Sequence, residues 1–317
     1  MLPTTRVLRD CRKLPPGVKM AIDGSRSTFS AGLGSGCRIV LGGAEVDLMD
    51  FDTAVDRIMD RAVSAAAPPL GVVSANLDHI KHFGAGGDWA NTFAPGAGHS
   101  VPPDGDRESV VEWLSLLDGA PLVSRAKRLT GLNWPRLAGS DLIGPLLDTA
   151  VERGVRVGFV GGTRQTQELL KQKTAEDRPG LVVAGWWAPE RWELADLRAS
   201  QALAAGIAAA RVDLLVVGLG KPRQEAWISA YGHQTGAAVM LAFGAVVDFL
   251  AGRVARAPEW IAAHGLEWAW RLALEPRRLS HRYLVDGPGA YFRLRFNSYL
   301  PAEAGSREAS LPRPADH

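Results

Sequence analysis

DLLVVGLGKPRQEAWISAYG, Asp213 to Gly232, is the stretch whose reading decides the fold. Its first half is an apolar run of the kind found in strands buried on both faces. Gly218 and Gly220 end that run, and PRQEAWISAYG opens like a helix with proline in its first turn. A strand, a glycine corner and a helix in that order expose free backbone N–H groups at the positive end of the helix, which suits a phosphate. Lys221 and Arg223 add positive charge that can hold a diphosphate without a metal. The competing interpretation is a solvated corner that merely carries surface charges.

Outward from this corner the same unit recurs. RIVLGG, GVVSAN, VRVGFVGG, LVVAGWW and AAVMLAFGA are further strand candidates, and amphipathic stretches such as FDTAVDRIMDRAVSAA, TRQTQELLKQKT and DLRASQALAAGIAAA lie between strands. Strand and helix in alternation predict an α/β fold, with a Rossmann-like, mostly parallel sheet flanked by helices. Its glycines fall at strand C-termini, where open α/β sheets bind ligands. From Pro258 onward two or three helices are expected, with no further strand. The chain therefore reads as a flexible arm over 1–36, a core over 37–254, a C-terminal helical appendage over 255–300 and a disordered tail over 301–317.

Composition sets outer bounds. The 317 residues are 46% apolar and 22% charged, ordinary for a globular protein with a sizeable core. A net charge of +2, from 36 basic and 34 acidic residues, does not call for nucleic acid. Cys11 and Cys37 have neither metal-type spacing nor a disulfide framework, so a reducing cytoplasm is expected. The first residues carry no apolar signal segment. The longest apolar stretch, Ala237 to Leu250, is 14 residues, short of the roughly 20 that a membrane span needs.

Several further positions admit a ligand or a plain structural role. VGFVGGTRQT repeats the corner at Gly161 and Gly162 with Thr163 as a cap, but it is neither a G-x-G-x-x-G fingerprint nor a Walker loop. Asp50 and Asp52 form a D-x-D triplet, a pattern that can hold a divalent metal, yet they sit where Asp50 is more simply an N-cap and Asp52 a first-turn carboxylate. Asp118 ends an apolar run just before Gly119; such an acid is either a partly desolvated base or an Asp-Gly turn. Ser74 and Asn76 close another strand, and Arg136 and Asp141 flank Gly139. His79 and His82 are three apart without a further ligand cluster, so no zinc site is expected. The C-terminal stretch RAPEWIAAHGLEWAWRLALEPRR is either a salt-bridged helix on a tryptophan-rich core or a surface for an anionic bilayer, with Arg293, Arg295, Tyr291 and Phe292 following it.

Together, N-x-D-H-I after a strand, DGAPLV, RLAGSDL, VGLGKPRQE, G-x-x-x-D-F-L-A-G and RAPEW…GLEWAWRLALEPRRL…RYL resemble the WecG/TagA/CpsF glycosyltransferase family. The resemblance runs in order from about Cys37 to Tyr283. It implies an inverting, metal-independent hexosyltransferase that moves a sugar (N-acetylmannosamine, a uronic acid or glucose) from a UDP-sugar to a polyprenyl-diphosphate-linked sugar. It also implies work at the inner, cytoplasmic membrane face, with the appendage meeting the membrane, and no cofactor. By motif, Asp118 is the base, Ser74 and Asn76 contact donor or acceptor, and Arg136 lies near the leaving diphosphate. Gly218, Gly220, Lys221, Arg223 and Gln224 hold the nucleotide, with Gly244 and Asp248 on the facing loop. Arg256, Arg271, Arg278 and Arg282 are appendage candidates for the diphosphate. Ser74 stands where the family usually has threonine, which keeps the hydroxyl. The alternative is a non-catalytic nucleotide-sugar-binding subunit on the same fold, and a homo-oligomer is left open.

Overall fold

A computed structural model describes residues 37–64, 68–93, 110–253, 267–274 and 276–301 of the chain. Its strands are β1 (Cys37–Leu41), β2 (Ala44–Leu48), β3 (Leu70–Ala75), β4 (Glu112–Leu117), β5 (Val157–Gly161), β6 (Val183–Trp187), β7 (Leu214–Gly218) and β8 (Val239–Ala242). They form one sheet in the order β1-β2-β4-β3-β8-β7-β5-β6. Every pairing is parallel except that of β1 with β2, a hairpin closed at Gly42 and Gly43, both at positive φ.

The helices between strands are α1 (Phe51–Ala62), α2 (Leu77–Phe83), α3 (Ala120–Thr130), α4 (Gly139–Arg153), α5 (Arg164–Asp177), α6 (Arg191–Ala195), α7 (Leu197–Ala209) and α8 (Arg223–Tyr231), and α9 (Val246–Leu250) follows the last strand. Then come α10 (Glu267–Leu274), α11 (Pro276–Ser280), a π-helical segment (His281–Asp286) and α12 (Gly287–Phe296). None of the described helices is long and apolar enough to cross a membrane.

The period of two along each strand explains why the runs are apolar throughout. Val72, Leu214, Val216, Val239 and Leu241 face one layer with Ile58 of α1, Leu146 of α4 and Leu170 of α5. Their neighbours Val73, Leu215, Val217 and Met240 face the other, with Ile207 of α7 and Ile228 of α8. Both faces are covered, so a strand with one polar side would leave a polar group in the core.

Two strands differ from the sequence expectation. β2 and β4 were not among the predicted strands. β2 (AEVDL) hides its strand character behind two acids. Asp47 is 4% exposed, and it is satisfied by Arg38 Nε at 2.9 Å and the Ser115 backbone N–H at 3.0 Å. Asp50, by contrast, is the N-cap of α1, accepting from the Thr53 N–H at 2.7 Å.

The described C-terminal residues are helical over Glu267–Leu274 and from Pro276 to Phe296, and Tyr299 makes one bridge to Val40. Ala290 and Leu294 of α12 join the core of β1 and β2. Arg293 of α12 donates to the carbonyls of Lys81 at 2.7 Å and Gly86 at 3.2 Å, which docks the helix on α2.

Candidate active site

The C-terminal ends of β3, β4, β7 and β8 lie side by side, and a cavity of about 900 Å³ opens above them. Open α/β sheets take ligands at such C-terminal strand ends. Of the residues singled out from sequence, Ser74, Asn76, Asp118, Gly218, Gly220, Lys221, Arg223, Gln224, Gly244 and Asp248 all line it.

Asp118 follows the last residue of β4. Its backbone N–H is held by the Ala75 carbonyl at 2.9 Å, which locks the ends of β4 and β3 together. The chain then turns through Gly119 at φ +81°, a conformation that favours glycine. That turn lets the Gly119 N–H donate to Asp118 Oδ1 at 2.7 Å. Asn76 Nδ2 donates to the other oxygen at 3.3 Å. The Asp118 side chain keeps contact with the cavity, but protein packs around the rest of it. This burial lifts its carboxyl above the usual carboxylate range, while Arg136, the Asn76 amide, the Gly119 N–H and Lys221 pull back.

Asn76 also caps α2, its Oδ1 accepting from the His79 N–H at 3.2 Å. The hydroxyl of Ser74 accepts from the Gly139 N–H at 3.0 Å and faces the Leu137 carbonyl at 3.4 Å, which positions the start of α4. Arg136 is not in the cavity lining. It is paired with Asp141 at 2.7 Å and acts on Asp118 through its charge.

The β7–α8 corner supplies a second wall. Gly220 sits at φ +79°. Gln224 is 1% exposed. Its Oε1 accepts from the Gly220 N–H at 3.2 Å, and its Nε2 donates to the Ala242 carbonyl at 2.8 Å and to Glu225 Oε1 at 3.1 Å. The amide therefore ties β7 to β8 and is already engaged by protein. Lys221 Nζ lies 3.2 Å from the Ser74 carbonyl and 3.8 Å from Glu225 Oε1. Burial raises the Glu225 carboxyl, and Lys221 opposes it.

Gly161 and Gly162 are not brought to the cavity, contrary to the sequence expectation. A Cβ on Gly161 would meet the Gly218 carbonyl oxygen at 2.3 Å, and one on Gly162 would meet Thr166 and Val247 at 3.1 Å. They are glycines because β5, β7 and α9 approach closely there. Arg256 lies outside the described residues, as do the side chains of Arg271, Arg278 and Arg282.

Other cavity residues were missed. Asp78, Lys81 and His82 line it from α2. Their spacing of three and four places them on one helix face, a signal that was present in LDHIKHF. Arg191, Arg253, His281 and Asp286 also line it, brought in by elements distant in sequence. Asp286 pairs with Lys81 at 2.6 Å and His281 at 3.2 Å. Among the described residues, no cluster of three or more His, Cys, Asp or Glu side chains is arranged to hold a metal ion. His79 is fully buried against Phe83 and Phe93, and burial holds its imidazole well below the usual histidine range.

The fold and cavity define an α/β protein in which one carboxylate with raised proton affinity faces glycine corners and cationic side chains, an arrangement able to take a proton beside an anionic ligand. Residues 107–302 match the glycosyl transferase WecG/TagA/CpsF family, and the chain belongs to that family. It is similar to the N-acetylglucosaminyldiphosphoundecaprenol N-acetyl-beta-D-mannosaminyltransferase of Bacillus spizizenii (strain ATCC 23059 / NRRL B-14472 / W23), at 33% identity over 166 residues, 51% of this chain and 61% of that protein. The protein of the same name from Bacillus subtilis (strain 168) is 31% identical over 166 residues, with the same coverage. The chain thus spans 61% of the length of these relatives.

Proposed function

We propose that the protein is a glycosyltransferase that moves a hexose, N-acetylhexosamine or uronic-acid sugar from a UDP-sugar to a polyprenyl-diphosphate-linked sugar, with Asp118 as the base. The observation that carries this reading is the Asp118 carboxylate, lifted by burial in a cavity whose wall also carries Arg191 and Arg223. The relatives' name describes transfer of an N-acetyl-beta-D-mannosaminyl group to N-acetylglucosaminyldiphosphoundecaprenol, which favours a donor and acceptor of that kind here.

In this reading the acceptor hydroxyl oxygen attacks the anomeric carbon of the donor. The C1–O bond to the diphosphate breaks, and its electron pair leaves with UDP. The hydroxyl proton goes to the Asp118 carboxylate. A carboxyl raised toward the working pH is a better base than an ordinary surface aspartate. A single displacement inverts the centre and needs one acid, not the carboxylate pair of a glycosidase. Cationic side chains of the cavity stabilise the departing diphosphate without a divalent metal. Turnover should then persist in excess EDTA; loss of turnover, restored by magnesium, would refute metal independence.

We further propose that the protein works peripherally on the inner membrane face. Tyr291, Phe292 and Phe296 of α12 are exposed, and the Arg295 guanidinium lies 5.7 Å from the Phe296 ring centroid. Aromatic rings interleaved with arginine suit an anionic headgroup zone. Assay of UDP release from a panel of UDP-sugars, with and without a lipid-diphosphate acceptor, tests the activity.

A further inference from the structure

Lys221 reads in sequence as a phosphate ligand, yet its surroundings commit it elsewhere. Its side chain is 12% exposed, and its ammonium group is already divided between the Ser74 carbonyl and the Glu225 carboxylate. Glu225 itself is fully buried, with Oε1 also accepting from Gln224 and no hydrogen-bond partner for Oε2 among the described residues. A carboxylate buried in this way holds a nearby cation strongly, because separating the two leaves an uncompensated charge. Ser74 is two residues before Asn76, whose amide donates to Asp118. One chain of contacts therefore runs from Glu225 through Lys221 and the end of β3 to the base.

We propose that Glu225 and Lys221 are a positioning pair for the base: Glu225 holds Lys221 on the Ser74 carbonyl, and the ammonium group fixes the β3 end and the charge around Asp118 instead of gripping the diphosphate. The exposed Arg191 and Arg223 on the cavity wall are left for that anion. This inference rests on the transferase reading. The charged groups that act on Asp118 are Arg136 and Lys221. Those that act on Glu225 are Lys221 and Asp78, and Lys221 also bears on His79 and His82.

The test compares Glu225→Gln with Glu225→Gln/Lys221→Met, so that no buried carboxylate is left without its cation in the second variant. Removing the ammonium group should move the acid limb of kcat/KM upward relative to Glu225→Gln, because Lys221 is one of the cations that hold the Asp118 carboxyl down. UDP affinity, measured by calorimetry, should stay nearly unchanged. Carbon-13 NMR of labelled aspartates, with the Asp118 signal assigned from Asp118→Asn, should report the same upward shift without relying on turnover. An unmoved limb with UDP binding weakened about tenfold or more would make Lys221 a phosphate ligand and overturn the proposal. An unmoved limb and unmoved affinity would also overturn it. Failure of the underlying reading looks different: Asp118→Asn would then keep wild-type turnover, whatever Lys221 does.

Discussion

Asn76 serves α2 and Asp118 with the two ends of one amide, and two substitutions separate those tasks. Asn76→Ala removes both. The lost N-cap costs about 1 kcal/mol, and the lost hydrogen bond to the carboxylate about 1 kcal/mol more. For a domain of this size the sum lowers Tm by about 4–8 °C. The same variant deprives Asp118 of a donor that favours its charged form, so the acid limb of the pH–rate profile should move up.

Asn76→Asp keeps a cap of equal quality but turns a carboxylate oxygen toward Asp118 Oδ2, where the amide now sits at 3.3 Å. Two carboxylates at that separation cannot both ionise cheaply, and the folded-state pKa of the pair rises above the unfolded value. The native state then binds protons that the unfolded chain has released. Stability is fully present below the unfolded carboxylate range and is lost as pH rises through the raised folded value. The Tm deficit of Asn76→Asp should therefore shrink strongly on acidification, and that of Asn76→Ala should shrink only to the part due to the lost cap, because its hydrogen bond to Asp118 matters only while the carboxylate is charged. Thermal melts between pH 4 and about 8, paired with UDP-release rates, read both effects. An Asn76→Asp protein with the wild-type rate and acid limb would refute the Asn76–Asp118 coupling.

Two further outcomes follow from packing and surface. Gly161→Ala should lower Tm by several degrees, because φ is +113° and the new Cβ would lie 2.3 Å from the Gly218 carbonyl oxygen; an unchanged melt would show that the β5–β7 contact is looser than described. Phe292→Ser/Phe296→Ser should weaken flotation with anionic liposomes while leaving Tm within about 1–2 °C, since exposed side chains contribute little to folding. Unchanged flotation would remove α12 from the membrane surface.

The corner at Gly218–Gln224 and the acid before Gly119 were legible in the sequence because local chemistry writes them: glycines after an apolar run, proline in a first turn, aspartate at a strand end. Asp50 was legible as a cap for the same reason. What stayed hidden depends on partners far along the chain. The Asp47 of β2 looks like a surface acid until Arg38 and Ser115 are seen around it. That Gln224 also ties the ends of β7 and β8 is invisible locally, and Gly161 looks like a phosphate loop until Gly218 is seen against it. Arg191 and Arg253 belong to the cavity only through the order of the strands.

The most direct test of the account is acceptor-dependent UDP release by wild type and by Asp118→Asn, with UDP-sugars presented singly and a lipid-diphosphate GlcNAc acceptor. Wild type should release UDP from one donor, Asp118→Asn should release it about 10²–10⁴-fold more slowly, and UDP binding should survive the substitution. An Asp118→Asn protein that turns over at the wild-type rate would contradict it.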